Sequence, residues 1–336
     1  MKKNNVEDKE SPLEYAIGID MGGTTTKFGI VNHRGDISNR GEIETTTHSD
    51  IKLFIGELYK ELKPAIDAIG GMEYIKGIGV GAPNGNYYTG MIEYAPNLHW
   101  RGIIPIAKLV TDQFNKTCTL TNDANAAAVG EMMYGAARGM RDFIMITLGT
   151  GVGSGIIANG QLIYGHDGFA GELGHTIIRP GGRLHWGTGM KGSLEAYASA
   201  TGIAITAKEI VDERIGEKTL LRDIQHEKIT SKRVYEAAIK GDPIANEVFQ
   251  FTGRILGEAL ANFVMFSSPE AIILFGGVIK AGKLLMDPVK ESMEKNLLPI
   301  FQNKVKLLFS ELKESDAAIL GASALVWEKK PDVVKE

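Results

Sequence analysis

Ile17-Gly18-Ile19-Asp20-Met21-Gly22-Gly23-Thr24-Thr25-Thr26-Lys27, continued by the apolar run Phe28 to Val31, spells a strand, a glycine/threonine turn and a second strand. Ile144-Met145-Ile146-Thr147-Leu148-Gly149-Thr150-Gly151-Val152-Gly153-Ser154-Gly155, continued by Ile156-Ile157, spells the same thing again. Each copy ends in a polar turn, Asn32-His33-Arg34-Gly35 in the first and Asn159-Gly160 in the second. The pattern predicts a β-hairpin with a glycine-rich tip, used once in each half of the chain. Glycine lets backbone N–H groups approach an anion closely, and threonine hydroxyls add donors. Two such tips across a cleft would grip a nucleotide's phosphates from both sides. Neither copy is a P-loop, because the G-x-x-x-x-G-K-[ST] spacing is absent. Neither is the dinucleotide G-x-G-x-x-G, because a strand rather than a helix follows. A single copy is equally well read as an ordinary turn. Two copies, one with an aspartate at the strand end, favour phosphate binding.

Composition narrows the remaining choices. At 336 residues the chain exceeds what one compact core usually spans, so two domains are expected. No apolar run is long enough for a membrane span. Met1 to Glu10 is too polar for a signal peptide and reads as part of a flexible tail over 1–14. Net charge is −4 with no basic block, which speaks against a nucleic-acid partner. The one cysteine, Cys118, cannot form an internal disulfide; it reads as core filler in a protein of the reducing cytoplasm.

Strand and helix patterns alternate along the chain, which predicts an α/β fold. Helical spacing runs from Asp50, an expected N-cap, to Ala68. Tyr74 to Val80 and Cys118 to Thr121 read as strands, Pro105 to Phe114 as a helix, and Asn122 to Gly139 as a helix of small residues. Gly165 to Gly192 must be rich in loops. Helices are expected at Glu195 to Ala200, Ala204 to Val211, Ser231 to Lys240, Pro243 to Met265, Met286 to Leu298 and Ala317 to Trp327, with strands at Ala271 to Phe275 and Val305 to Ser310. The boundary is placed between a smaller α/β domain, 15–120, and a larger one, 121–316. Whether the last helix, about 317–330, returns to the first domain is open at this level.

Two further clusters carry chemistry. Asn122-Asp123-Ala124-Asn125 puts polar residues where a strand delivers the chain to a helix. Capping alone explains one of them. The excess suggests a carboxylate placed to accept a proton from an attacking hydroxyl. Glu172-Leu173-Gly174-His175 and the later Glu195 form the second. Convergent carboxylates and imidazoles suit vicinal sugar hydroxyls, and an unpaired buried acceptor penalises a wrong epimer by about 1–3 kcal/mol. His166, Asp167 and His185 read instead as solvated loop residues.

Taken together, these stretches resemble the ROK family of sugar kinases, from Tyr15 to Trp327. The resemblance rests on D-x-G-G-T-x-x-K at Asp20 to Lys27, N-D-A-N-A-A-A from Asn122, L-G-T-G-V-G-S-G from Leu148, G-E-L-G-H at Gly171 to His175, L-E-A-Y-A-S at Leu194 to Ser199, and Leu274-Phe275-Gly276-Gly277. It implies an actin-like (ribonuclease H-like) pair of α/β domains. It implies ATP- and magnesium-dependent phosphorylation of a hexose, first of all glucose as in bacterial glucokinases, although kinases for N-acetylmannosamine, N-acetylglucosamine and fructose share these motifs. By the same resemblance Asp123 is the general base, usually toward a sugar 6-OH. Asn97, Asn122, Glu172, His175 and Glu195 would bind the sugar. Gly22, Gly23, Thr24, Thr25 and Lys27, with Gly149, Thr150 and Gly151, would face the ATP phosphates. Asp20 would meet magnesium through water, and Gly276 and Gly277 would lie near the adenosine. A homodimer or homotetramer is also implied.

One departure stands out. Many family members carry C-x-C-G-x-x-G-C between the G-H and L-E motifs, as ligands of a structural zinc. Here the segment is Arg183-Leu184-His185-Trp186-Gly187-Thr188-Gly189-Met190-Lys191-Gly192-Ser193, without cysteine, and no zinc is expected. A non-catalytic sugar-binding protein is therefore one competing reading, opposed by the intact Asp20, Lys27 and Asp123. A repressor would carry a helix-turn-helix domain, and the fourteen residues before Tyr15 leave no room for one. The cluster at Glu172, His175 and Glu195 argues against a chaperone or filament ATPase.

Overall fold

The computed structural model describes residues 14–328. The expected tail lies outside them except for Glu14, as do the last residues of the expected final helix. By internal contacts the chain divides into two compact units, 14–122 with 318–328, and 123–317. The first unit contains β1 (Tyr15–Met21), β2 (Thr25–Asn32), β3 (Ile37–Glu44), α1 (Ile51–Ala68), β4 (Ile75–Gly81), β5 (Ile92–Glu93), β6 (Ile103–Ile104), α2 (Ile106–Phe114) and β7 (Cys118–Thr121). The second contains α3 (Asp123–Tyr134), β8 (Phe143–Leu148), β9 (Val152–Ala158), β10 (Gln161–Leu162), α4 (Glu195–Ala198), α5 (Ala200–Glu213), α6 (Ser231–Ala238), α7 (Pro243–Ser267), β11 (Ala271–Phe275), α8 (Lys283–Asn296) and β12 (Lys306–Phe309). The final helix, α9 (Ala317–Ala324), belongs to the first unit from residue 318 onward.

The repeat seen in the hairpins extends to whole sheets. The first sheet has the order β3-β2-β1-β4-β7, the second β10-β9-β8-β11-β12. In each, an antiparallel hairpin meets two parallel strands on its first-strand side. The inner parallel strands β4 and β11 are largely buried and carry isoleucine and valine, as expected where helices cover the sheet. α9 packs on the first sheet so closely that a Cβ on Gly18 would collide with its backbone at Ile319 and Ser323.

Local signals account for most element boundaries. The Asp50 side chain accepts the Lys52 N–H (2.8 Å) and starts α1. Cys118 sits half-buried at the edge of the first core. Helix α3 ends at Tyr134 rather than at the expected Gly139. The fully buried carboxylate of Glu131 turns back at this point: it accepts the Ala136 N–H (2.7 Å) and the Ser310 hydroxyl beyond β12. This contact ends the helix and ties it to its own sheet. Among the described residues no helix is long and apolar enough to cross a membrane.

The long helix α7 begins on a buried cap. The Asp242 carboxylate accepts the Ala245 N–H (2.9 Å), the Leu220 N–H (2.6 Å) and the Thr219 hydroxyl (3.0 Å). Asp242→Ala removes the cap and strands a buried donor, so it should cost about 3 kcal/mol of stability. Chemical denaturation of the two proteins reads this directly; a difference below about 1 kcal/mol would contradict the capping role.

Candidate active site

In the second unit, β7's polypeptide continues into Asp123 at the first turn of α3, where the carboxylate accepts the Ala124 N–H (2.8 Å). The side chain is exposed to solvent. Desolvation pushes its pKa up, against the two backbone hydrogen bonds that lower it. Glu172 is raised as well, first by burial, with His175 opposing and the charges of Asp123 and Glu195 adding. These couplings place Asp123, Glu172, His175 and Glu195 in one cluster. The Glu172 carboxylate stands 3.8 Å from His175 Nε2.

The G-E-L-G-H segment is seated on β9. The Ser154 hydroxyl donates to the Gly171 carbonyl and accepts the Leu173 N–H (3.2 Å). Glu195 is the first residue of α4, and its Oε2 accepts the Val152 N–H (2.6 Å) at the foot of the second hairpin tip.

His185 is the main correction to the sequence reading. It is not solvated: 4% of it is exposed. Its Nδ1 accepts the N–H groups of Gly187 (3.2 Å) and Thr188 (3.0 Å), so Nε2 carries the proton and donates to Glu195 Oε1 (2.5 Å). Trp186 stacks on its ring, with centroids 4.2 Å apart. The turn closes through His185 N–H to the Met190 carbonyl (2.7 Å). Arg183 anchors the ribbon, donating to the Ala196 carbonyl (2.7 Å), the Thr206 hydroxyl (3.0 Å) and Glu209. A polar, glycine-rich stretch gives no hydrophobic signal for such burial. His166 and Asp167 are exposed, as read.

The hairpin tips share one property that sequence could not show: their carbonyls are tied into the protein. In the second tip, Gly149 O accepts the Ala200 N–H (2.8 Å), Thr150 O the Thr201 hydroxyl (3.0 Å), and Gly151 O the Gly149 N–H (3.0 Å). In the first, Gly22 O accepts the Thr45 hydroxyl (2.7 Å), Thr24 O the Thr45 N–H (2.8 Å), and Thr25 O the Gly22 N–H (3.1 Å). Thr45 is buried, and its hydroxyl in turn accepts from Thr26 (2.8 Å). Acceptors that would repel an anion are thereby withdrawn. Asp20 and Lys27 face each other across the base of the first tip. Asn97 is exposed, and its backbone lies directly against Gly23; Asn122 is half-buried at the end of that unit.

Beside the second tip lies a cavity of about 550 Å³, a size that suits a nucleoside. Gly149, Thr150 and Gly277 border it, with Ile203, Phe249 and Val278 as apolar wall and Ser231, Lys232, Tyr235 and Lys280 as polar rim. Gly276 is bound to be glycine: φ is +101°, and a Cβ would lie 2.6 Å from the Leu148 carbonyl oxygen. The contributions of α6 and α7 to this cavity were missed by sequence reading, since nothing local marks them.

Two five-stranded sheets of the same strand order, each with a glycine-rich hairpin tip, make an α/β scaffold of the actin-like class. The chain belongs to the ROK family, whose model matches residues 16–329. It is 36% identical to the glucokinase of Halalkalibacterium halodurans, over 96% of this chain and 97% of that one. It is 31% identical to the glucokinase of Thermotoga maritima, over 95% and 99%. Among solved structures, the ROK family glucokinase of Streptomyces griseus in complex with glucose and AMPPNP matches with a TM-score of 0.74 at 32% identity, over 93% of this chain and 98% of that one.

The raised pKa of Asp123 has a stability consequence. The folded state holds the proton more tightly than the unfolded one. The favourable contribution is therefore whole below the unfolded value near 3.8 and lost as pH rises through the higher folded value. At neutral pH Asp123→Asn should raise the melting temperature, with the gain shrinking as the pH falls toward 4. Thermal melts across pH measure it; a lower melting temperature for the variant at pH 7 would contradict the desolvated carboxylate.

Proposed function

We propose that the protein is an ATP- and magnesium-dependent hexose kinase that converts glucose to glucose 6-phosphate. The observation that carries this reading is the conjunction, within one unit, of an anion-ready tip, a nucleoside-sized cavity beside it and a cluster of carboxylates and imidazole around Asp123. The glucokinase relatives point the same way over nearly their whole lengths.

Asp123 serves as the general base. The sugar hydroxyl oxygen forms its bond to the terminal phosphorus as the bond to the ADP oxygen breaks, and the hydroxyl proton passes to Asp123. A raised pKa makes that carboxylate a better proton acceptor once it is ionised. Asn97, Asn122, Glu172, His175 and Glu195 hold the other hydroxyls. Gly149, Thr150 and Gly151, and Gly22, Gly23, Thr24 and Thr25 with Lys27, face the phosphate oxygens, the Gly149 and Gly22 N–H groups being spent on closing the two turns. Gly276 and Gly277 border the nucleoside. Asp20 would hold magnesium through water, and the ion would supply charge neutralisation at the phosphates.

A structural zinc has no donor set in the 183–193 loop. The segment has no thiolate, and both His185 nitrogens are engaged by Glu195 and the turn's own N–H groups. The reading carries with it a cytoplasmic location and a homodimeric or homotetrameric state.

A coupled ADP-release assay with Mg-ATP tests the proposal on glucose, mannose, fructose, N-acetylglucosamine and N-acetylmannosamine. Glucose should give the highest kcat/KM. Preference for another sugar would move the substrate, and no turnover on any would overturn the kinase reading. Asp123→Asn should lower kcat by about 10²–10⁴-fold while calorimetry still detects sugar binding. Retained turnover would refute the base.

A further inference from the structure

We propose that His185 is a positioning residue of the sugar site, holding the Glu195 carboxylate in the orientation that receives sugar hydroxyls. The inference rests on the reading of Glu195 as a sugar contact.

The geometry argues it directly. Both Glu195 oxygens are held from the protein side, Oε2 by the Val152 N–H (2.6 Å) and Oε1 by the His185 Nε2–H (2.5 Å). A carboxylate fixed at both oxygens cannot rotate, while each oxygen keeps a lone pair for a hydroxyl. The donor is fixed as well. With Nδ1 accepting from Gly187 and Thr188, only Nε2 can carry the proton, and the ring is clamped by Trp186. The Glu195 carboxylate also fills the space beside Gly151, where a Cβ would overlap Oε2. The ribbon, the sugar-facing carboxylate and the hairpin tip therefore form one connected set.

His185 meets this cluster by hydrogen bond at Glu195, with its ring edge-on to that of His175, and its own hydrogen bonds otherwise go to Gly187 and Thr188 rather than to Asp123. Its loss should weaken sugar binding without touching proton removal. That pattern raises KM with kcat preserved.

The test compares His185→Phe, His185→Gln, His185→Asn and Glu195→Gln in the full chain, with kcat and KM for the sugar and thermal melts. Phenylalanine keeps the stacked ring and loses both nitrogens; its sugar KM should rise about ten- to hundredfold with kcat within about threefold. Glutamine places an amide N–H near the position of Nε2 and should restore KM. Asparagine keeps only an acceptor near the position of Nδ1 and should leave KM high. An asparagine variant that rescues KM where glutamine does not would reduce His185 to a brace of its own turn and overturn the proposal. So would a His185→Phe protein with unchanged KM beside a Glu195→Gln protein whose KM rises. If Glu195→Gln itself leaves KM unchanged, the reading of Glu195 as a sugar contact fails, and the inference fails with it.

Discussion

Both hairpin tips turn their carbonyl oxygens inward, and the rest of the site is arranged around that constraint. A tight turn ordinarily exposes donors and acceptors together, which makes it indifferent to an anion. Here Thr45 takes up the carbonyls of Gly22 and Thr24, and the first turn of α5, through Ala200 and Thr201, takes up those of Gly149 and Thr150. The requirement explains other placements. Helix α5 must start where its first N–H and hydroxyl meet residues 149 and 150, and its Ser199 cap follows directly on α4. Glu195 is thereby set at the start of α4, against Val152.

Charge follows the same logic. Asp123 and Glu172 are held at an energetic cost, desolvation raising the pKa of both and the charges of Asp123 and Glu195 adding at Glu172. Only function gives a reason to gather carboxylates that repel one another and are partly desolvated. The cost is met by structure elsewhere: buried sheets of the same strand order, and capped helices such as α1 and α7.

Much of this was legible in the sequence, because the determining features are local. Strand–tip–strand patterns repeat with glycine and threonine at fixed places, and Asp50 marks a helix start that the structure retains. The end of α3 was not legible, because it depends on Glu131 meeting Ser310, far along the chain. His185 was misread for a related reason. Its neighbours are polar and small, so burial comes from a turn folding over the ring and from a carboxylate ten residues away, and neither leaves a periodic signature. The cavity beside the second tip likewise draws on Lys232, Tyr235 and Phe249 from helices whose patterns report only their own packing.

The central claim, transfer of phosphate to a sugar hydroxyl, is most directly tested by ³¹P NMR of the protein incubated with Mg-ATP and glucose. The account predicts that the terminal phosphate signal of ATP is replaced by ADP and by one phosphate monoester with the shift of glucose 6-phosphate. Release of inorganic phosphate without a sugar ester, or an unchanged ATP spectrum, would contradict it.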